Sequence, residues 1–322
     1  MKRVLRVAMG VAAIAAAAFV IGPYEPVDLA ASFDDSAVTL DPDTYLKTRE
    51  AVFDDLVPTA EKRIVWARAS GAKTPVSIVY MHGFSANAEE IRPVPDQVAE
   101  GLGANLYFAR LAGHGRSPEA MAGPTVNDWM IDMAEAMAVG RAIGDQVILI
   151  STSTGGTIAA LGALDADISR GLKGVTFISP NFAIKNPASV LLTFPAARHW
   201  VPLLTGATRG FEPLNDAQAA NWTENYPTAA LFPMAAIVKA ARQADYSSLT
   251  VPALFIYSPQ DQVVDAAKTT EVAARWGGPV TTSQFQASDA VEPSAHVIAG
   301  DIVSPAGTAP TVATILDWAR GL

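Results

Sequence analysis

Short apolar runs alternate with amphipathic stretches along most of the chain, from residue 61 onward. Runs typical of β-strands are IVWARA at 64–69, PVSIVYMHGF at 75–84, NLYFARL at 105–111, QVILI at 146–150, GVTFISP at 174–180 and VPALFIYSP at 251–259. The stretch VNDWMIDMAEAMAVGRAIG at 126–144 places apolar side chains at helical spacing, which predicts an amphipathic helix, and TILDWARGL closes the chain as another helix. Unbroken β-branched runs such as QVILI are typical of strands covered on both faces. The alternation predicts an α/β fold, with a mainly parallel sheet between helical layers.

Residues 181–248 interrupt this alternation. They are rich in prolines and aromatic residues, contain no convincing strand, and are too long for a simple loop. We expect a helical cap over the carboxyl edge of the sheet, where open α/β sheets hold their active sites. The core is then formed by residues 61–180 and 249–322. The Pro- and Asp-rich residues 23–60 are expected to form a stalk and a docking segment.

The N-terminus has the pattern of an export signal. Lys2, Arg3 and Arg6 precede an uncharged, mostly apolar run that ends at Ile21. This run is shorter than the ~20 residues that cross a bilayer comfortably. We therefore expect residues 1–22 to be a signal peptide or an uncleaved membrane anchor, which makes the protein exported or membrane-anchored, on the periplasmic side in a bacterium. The alternative is a buried helix of the domain.

Composition excludes several classes of function. Half of the 322 residues are hydrophobic, enough for a large core, and the net charge of −9 with a pI of about 4.9 disfavours nucleic acid as a partner. The chain has no cysteine, so disulfides, thiolate nucleophiles and thiolate metal sites are excluded. The four histidines lack metal-binding spacing, and GLGANL at 101–106 lacks the third glycine of a dinucleotide motif. We expect neither a metal nor a cofactor.

The segment STSTGG at 151–156 follows QVILI directly. A nucleophilic serine on a tight strand-to-helix turn needs small residues two positions to either side, because the strand and helix backbones approach closely there. Ser153 meets this requirement with Gly155 after it and Ser151 before it, where glycine is usual. The segment alone is also compatible with a simple polar turn. Its chemistry therefore depends on a base and an orienting acid elsewhere.

Elimination among the four histidines favours His296 as the base. It lies in a loop between the strand-like PVTTSQFQA at 279–287 and the final helix. His82, in HGF, is better placed in a turn that offers backbone N–H groups. His114, between two glycines, is interpreted as structural, and His199 lies in the cap.

Asp261 is the candidate acid because it follows the strand-like run 251–259 in a polar turn. Its competitors are Asp265, interpreted as a helix N-cap, and Asp289, interpreted as an exposed loop residue. The predicted order of catalytic residues is therefore Ser153, Asp261 and His296.

The chain resembles an α/β-hydrolase, in particular the branch of serine hydrolases that contains monoacylglycerol lipases, carboxylesterases and serine aminopeptidase-type domains. The matching segments are HGF at 82–84, AGHGRS at 112–117, STSTGG at 151–156, SPQDQVV at 258–264 and SAH at 294–296. Ser151 departs from the glycine of the family's motif. The resemblance implies a mostly parallel, eight-stranded sheet flanked by helices, with a cap inserted.

The resemblance also implies a mechanism that the residues support. Ser153 would attack an acyl carbonyl while His296 removes its proton and Asp261 orients the imidazole. The backbone N–H groups of Phe84 and Thr154 would form the oxyanion hole, each worth about 3 kcal/mol of barrier.

The expected substrate is a small acyl ester. The aromatic residues Trp222, Tyr226 and Phe232 of the cap suit an apolar acyl pocket, although for most such residues taken singly, packing of the cap onto the sheet is the favoured interpretation. Two other classes stay open: an aminopeptidase, thioesterase or acyltransferase with the same triad, and a non-catalytic, membrane-anchored binding protein of this fold. Acidic cap residues Glu212, Asp216 and Glu224 could in principle hold a peptide N-terminus, but their spacing favours none of them.

Overall fold

The computed structural model describes residues 4–6, 9, 10, 17, 19, 21–39, 41–286 and 292–322. Most of the expected signal peptide or anchor at 1–22 and the competing acid Asp289 lie outside these residues, so both expectations stay predictions. Among the helices of the described residues, none is both long and apolar enough to cross a bilayer.

The centre of the described chain is a seven-stranded sheet. The strands along the chain are β1 (Arg63–Val65), β2 (Thr74–Met81), β3 (Asn105–Phe108), β4 (Gly144–Thr152), β5 (Leu172–Ile178), β6 (Thr208–Gly210), β7 (Asn225–Pro227), β8 (Ala253–Tyr257) and β9 (Val280–Gln284). All except β6 and β7 join this sheet, in the order β1-β3-β2-β4-β5-β8-β9. Only β1 pairs antiparallel within it, which confirms the mainly parallel sheet.

The expected count of eight strands is wrong for the described residues. The chain ahead of β1 forms two helices, α1 (Ser36–Thr39) and α2 (Pro42–Glu50), in place of a further edge strand. The sheet therefore ends at the three-residue β1 on that side.

Helices cover both faces of the sheet. The helices after α2 are α3 (Val94–Leu102), α4 (Val126–Ile143), α5 (Thr154–Leu164), α6 (Ala197–Thr205), α7 (Asp216–Asn221), α8 (Leu231–Gln243), α9 (Ala266–Arg275) and α10 (Pro305–Ala319). Of these, α6 and α7 lie in the segment between β5 and β8 and not on the main sheet. The amphipathic helix expected at 126–144 is α4, and it begins at a reciprocal cap between Thr125 and Asp128. Residues of α4, α5 and α8 share one apolar cluster, and residues of α3 and α10 share the other.

Strand β4 shows why the central runs are apolar throughout. Val147 and Leu149 pack into the cluster on one face, and Ile148 and Ile150 pack into the cluster on the other. All four side chains are at most 1% exposed. A strand that is buried on both faces carries no polar side and ends, at its carboxyl end, between two helical layers.

The chain between β5 and β8 contains short helices and a second, two-stranded sheet of β6 and β7. The expectation that residues 181–248 hold no strand was wrong, because three-residue strands are too short to show alternation. The N–H of Thr223 donates to the carbonyl of Ser85 over 2.7 Å, which ties this segment to the loop after β2.

Residues 23–60 lie against the rest of the protein. The N–H of Ala196 donates to the carbonyl of Pro23 over 2.7 Å. Asp35 forms an ion pair with Arg141 over 2.8 Å, and Leu46 is 2% exposed. These contacts fasten the segment to α6 and to the core, while the division of the chain into domains stays a prediction.

Candidate active site

Ser153 lies on the turn between β4 and α5. Its φ is 49°, a left-handed value that residues other than glycine rarely adopt. The N–H of Ser153 donates to Ile178 at the end of β5, and its carbonyl accepts from the N–H of Asn181, both over 3.0 Å. Because the surrounding structure holds this strained turn, the hydroxyl is fixed at the carboxyl edge of the sheet.

The residues two positions from Ser153 meet different steric demands. A Cβ at Gly155 would lie within 2.6 Å of the carbonyl oxygens of Met81 and His82, so no side chain fits there. Ser151 is fully buried, and its hydroxyl donates to the carbonyl of Thr176 in β5 over 2.9 Å. Serine therefore replaces the usual glycine without leaving a buried hydroxyl unpaired.

His296 and Asp261 continue a line of hydrogen bonds from Ser153. The His296 Nε2 lies 3.0 Å from the Ser153 Oγ, and the His296 Nδ1 lies 2.8 Å from the Asp261 Oδ2. The three residues are 6%, 8% and 1% exposed in the order Ser153, His296, Asp261. With the proton on Nδ1 donated to the carboxylate, Nε2 is free to accept the serine proton.

The turn after β8 holds Asp261. Its Oδ1 accepts from the N–H groups of Val263 and Val264 over 2.7 and 2.8 Å. The Lys185 Nζ donates to the Asp261 carbonyl over 2.7 Å. These bonds fix the carboxylate and leave Oδ2 for the imidazole.

Glu292 holds the loop that carries the imidazole. Its carboxylate accepts from the backbone N–H groups of Ser294, His296 and Val297 over 2.8, 2.7 and 3.0 Å. Burial alone would raise the pKa of Glu292, but these hydrogen bonds outweigh it and lower the pKa. Glu292 is therefore a charged backbone anchor next to the site.

The electrostatics of the site favour a charged imidazole. Burial alone would lower the pKa of His296, but the Asp261 carboxylate outweighs it, with further contributions from Glu90 and Glu292, and the pKa is raised. An imidazolium that forms during proton transfer is therefore stabilised in place.

The loop after β2 lies against Ser153. A Cβ at Gly83 would lie 2.6 Å from the Glu90 Oε1 and 3.1 Å from the Ser153 Cβ, so a side chain there would push against both neighbours. Phe84 follows directly, and Thr154 is the first residue of α5, where backbone N–H groups have no intrahelical partner. The two backbone segments named for the oxyanion hole thus lie next to Ser153, and their role stays a prediction.

The other histidines lie in different environments. His82 is fully buried, its Nε2 accepts from the N–H of Leu111 over 3.1 Å, and burial lowers its pKa to about 3. Burial lowers the pKa of His114 to about 4. His199 is exposed on α6, and Asp265 caps the N-terminus of α9. Neither buried histidine is charged near neutral pH.

The three residues suggested for substrate binding lie in different parts of the cap. The Tyr226 ring meets the Phe84 ring edge-on, with centroids 5.3 Å apart. Trp222 is 8% exposed and belongs to the apolar cluster that includes the loop after β2. Phe232 packs against Ala197 and Val201 of α6. Tyr226 is thus in direct contact with the loop of the expected oxyanion hole, and the role of all three toward a substrate stays a prediction.

A cleft of about 300 Å³ separates the loop after β2 from the cap. Its lining includes Ser85, Asn87, Arg116, Trp222 and Asn225. It provides room for a small, partly polar group beside Ser85.

Sequence reasoning missed three residues that hold the site together: Lys185, Glu292 and Glu90. Glu90 is buried and accepts from the N–H of Gly83 over 2.7 Å. A glutamate in AEEIRP has no local signal that separates it from a solvated residue. Only the position of Glu292, four residues before His296 in a Pro- and Ser-containing loop, hinted at an anchored turn.

The arrangement brings a hydroxyl, an imidazole and a carboxylate into hydrogen-bonding contact, which are the groups that nucleophilic catalysis by a serine requires. Within the ranges that the structure describes, no group of three or more histidine, cysteine or acidic side chains could hold a metal ion.

Much of the chain matches a known protein family. The family described as serine aminopeptidase, S33, matches residues 72–286. No curated protein matches the chain significantly.

Solved structures share the fold at low sequence identity. One comes from work on LipS and LipT, two metagenome-derived lipolytic enzymes, with 19% identity, coverage of 83% of this chain and 100% of that chain, and a TM-score of 0.65. A soluble variant of monoglyceride lipase from Saccharomyces cerevisiae has 9% identity, coverage of 80% and 90%, and a TM-score of 0.62. The monoacylglycerol lipase of Paleococcus ferrophilus has 15% identity, coverage of 80% and 96%, and a TM-score of 0.57. These likenesses establish the shared fold.

Proposed function

The chain belongs to the serine aminopeptidase S33 family of α/β-hydrolases, and on that premise we propose that it is a serine hydrolase that cleaves carboxylic esters. The observation that carries the proposal is the unbroken contact from the Ser153 Oγ through the imidazole of His296 to the Asp261 carboxylate, at 3.0 and 2.8 Å.

Acylation begins when the Ser153 Oγ attacks the ester carbonyl and its proton passes to the His296 Nε2. The carbonyl oxygen becomes an oxyanion that the Phe84 and Thr154 N–H groups stabilise. His296 then gives the proton to the alkoxide, the ester C–O bond breaks, and the alcohol leaves.

Deacylation repeats these steps with water. His296 takes a proton from the water as its oxygen attacks the acyl-enzyme carbonyl, and returns the proton to Ser153 as the acid leaves. Throughout, the Asp261 carboxylate accepts a hydrogen bond from the Nδ1–H of His296 and stabilises the positive charge of the imidazolium. The carboxylate stays in position because it is buried and accepts from two backbone N–H groups.

Ester cleavage suits the surroundings of the nucleophile better than peptide cleavage. An apolar acyl pocket needs few polar contacts, and Phe84 and Tyr226 offer an aromatic wall beside the expected oxyanion hole. A peptide N-terminus needs a fixed acidic group, whereas Glu212 and Asp216 are exposed. Glu224 is half-buried and lines the cleft beside Ser85, and a role toward a peptide N-terminus stays a prediction.

A panel of p-nitrophenyl esters of rising acyl chain length, with aminoacyl p-nitroanilides included, tests the proposal. Wild-type protein should hydrolyse the esters, and Ser153→Ala should reduce kcat by at least about 10⁴-fold while leaving the circular dichroism spectrum and Tm unchanged. Ser169→Ala, at an exterior turn, is the matched control and should keep wild-type turnover.

Turnover by Ser153→Ala at the wild-type rate would overturn the proposal. Preferred cleavage of the anilides would instead identify an aminopeptidase. Product analysis with an added alcohol separates hydrolysis, which gives only free acid, from acyl transfer, which gives a new ester.

A further inference from the structure

Glu90 is a buried carboxylate next to the active site that the steps above do not use. It is 2% exposed and lies in the loop between β2 and α3. Its Oε2 accepts two hydrogen bonds, from the N–H of Gly83 over 2.7 Å and from the hydroxyl of Tyr80 over 2.9 Å. Acidic side chains are rarely buried without a paired cation, so this placement calls for a reason.

The carboxylate and the nucleophile lie on the same side of Gly83. A Cβ built at Gly83 would lie 2.6 Å from the Glu90 Oε1 and 3.1 Å from the Ser153 Cβ. Glu90 therefore reaches the backbone segment that carries the Phe84 N–H, at the point where that segment touches the catalytic serine.

Two ionisable groups face Glu90. Tyr80 approaches from β2 as a hydrogen-bond donor, and His296 acts on it from the loop before α10. The neighbouring Glu89 forms ion pairs with Arg63 and Arg92 over 2.6 and 3.0 Å. Three carboxylates raise the pKa of His296: those of Asp261, Glu90 and Glu292.

We propose that Glu90 is a positioning residue: its carboxylate holds the Gly83–Phe84 loop in the conformation that presents the Phe84 N–H to the substrate, and adds negative charge near His296. This inference rests on the proposed ester hydrolysis. The hydrogen bond from Gly83 is charge-assisted, so it is stronger than a bond to a neutral acceptor. Placement of an oxyanion donor has to be accurate to a fraction of an ångström, because a misplaced donor loses much of its effect on the rate.

The charge of Glu90 also affects how the activity should depend on pH, through the pKa of His296. Burial raises the pKa of Glu90 to about 6, only partly offset by the hydrogen bonds from Gly83 and Tyr80 and by the charge of His296. Loss of the carboxylate charge removes one of the contributions that raise the pKa of His296. Removal of this charge therefore lowers the pKa of His296, and the neutral base persists to lower pH.

Two substitutions separate the two effects. Glu90→Gln keeps an acceptor for Gly83 and removes the charge, so the acid-side midpoint of kcat/KM should move to lower pH by about half a unit or more. Glu90→Asp keeps the charge but shortens the side chain, so kcat should fall about tenfold with KM changed less than about threefold and the midpoint in place. Glu89→Gln is the control and should match the wild-type profile, because the Glu89 carboxylate pairs with Arg63 and Arg92 and not with the Gly83–Phe84 loop.

The inference is overturned if the acid-side midpoint of kcat/KM is the same in Glu90→Gln and the wild type. It is also overturned if the kcat of Glu90→Asp equals that of Glu89→Gln. Folding of each variant is checked by Tm, and either arm decides the matter if the other variant does not fold. Absence of ester hydrolysis by the wild type would overturn the proposed function instead, before any variant is compared.

Discussion

At the scale of single residues, the turn at Ser153 depends on its neighbours more than on the serine itself. Gly155 has the backbone of β2 against its Cα, whereas Ser151 has room for a hydroxymethyl group and a carbonyl to bond. Position 151 therefore tolerates a small side chain and position 155 does not, although the family's motif has a small residue at both.

We predict that Ser151→Gly keeps kcat/KM within about threefold of wild type and lowers the free energy of unfolding by about 1 kcal/mol, because one buried hydrogen bond is lost and a glycine is added within a strand.

Gly155→Ala should abolish soluble, active protein, since its Cβ would overlap two carbonyl oxygens. Chemical denaturation and ester kinetics measure both. A tenfold loss of activity in a stable Ser151→Gly protein would show that the hydroxyl has another role.

The sequence was enough to name Ser153, Asp261 and His296 as candidates, because few histidines compete and each candidate follows a strand-like run. The structure brings the three into hydrogen-bonding contact, and their catalytic roles stay a prediction. It could not identify Glu90, whose partners are a backbone N–H and a phenol brought together only by the fold. A local sequence pattern does not show that a carboxylate such as that of Glu90 is buried in the fold.

At the scale of elements, two loops bring the imidazole of His296 to the carboxylate of Asp261. The N–H of Gln262, in the turn after β8, donates to the carbonyl of Ser294 over 2.8 Å. Glu292 binds three N–H groups of the second loop. The distance between His296 and Asp261 is therefore fixed by backbone contacts as well as by their own hydrogen bond.

The pH dependence of turnover follows from this arrangement. His296 must be neutral to accept the serine proton, and its pKa is raised above the ordinary 6.5, so kcat/KM should fall as pH drops through a value above 6.5. Asp261→Asn should lower kcat on the order of 10⁴-fold and move the acid limb to lower pH, because the main contribution that raises the pKa of His296 is gone. Initial rates across the pH range measure both, and a wild-type acid limb centred well below 6.5 would contradict this electrostatic picture.

Long central strands were predictable because burial on both faces makes them apolar throughout, as in β4. The short strands β6 and β7 were not, since three residues carry no periodicity and their pairing depends on the chain between them. The expected eight strands came from the family resemblance and not from a pattern in this sequence, and the count is one too high for the main sheet of the described residues.

At the scale of the whole molecule, the sheet order brings distant parts of the chain to one edge. Ser153 follows β4, Asp261 follows β8, and the loop of His296 follows the edge strand β9. Because β2, β4, β5, β8 and β9 run parallel, their carboxyl ends meet on the same side. The alternation of strands and helices predicted this convergence, while the contacts of the cap with the oxyanion loop required the structure.

The central claim is that Ser153 is a nucleophile activated by His296. Reaction of the intact protein with a fluorophosphonate, followed by peptide mass mapping, tests it most directly. We predict a single adduct, on Ser153, and labelling slower by on the order of 10³-fold in His296→Ala, because the hydroxyl then lacks its base. An adduct on another residue such as Ser151 or Ser294, or equal labelling rates in the two proteins, would contradict the claim.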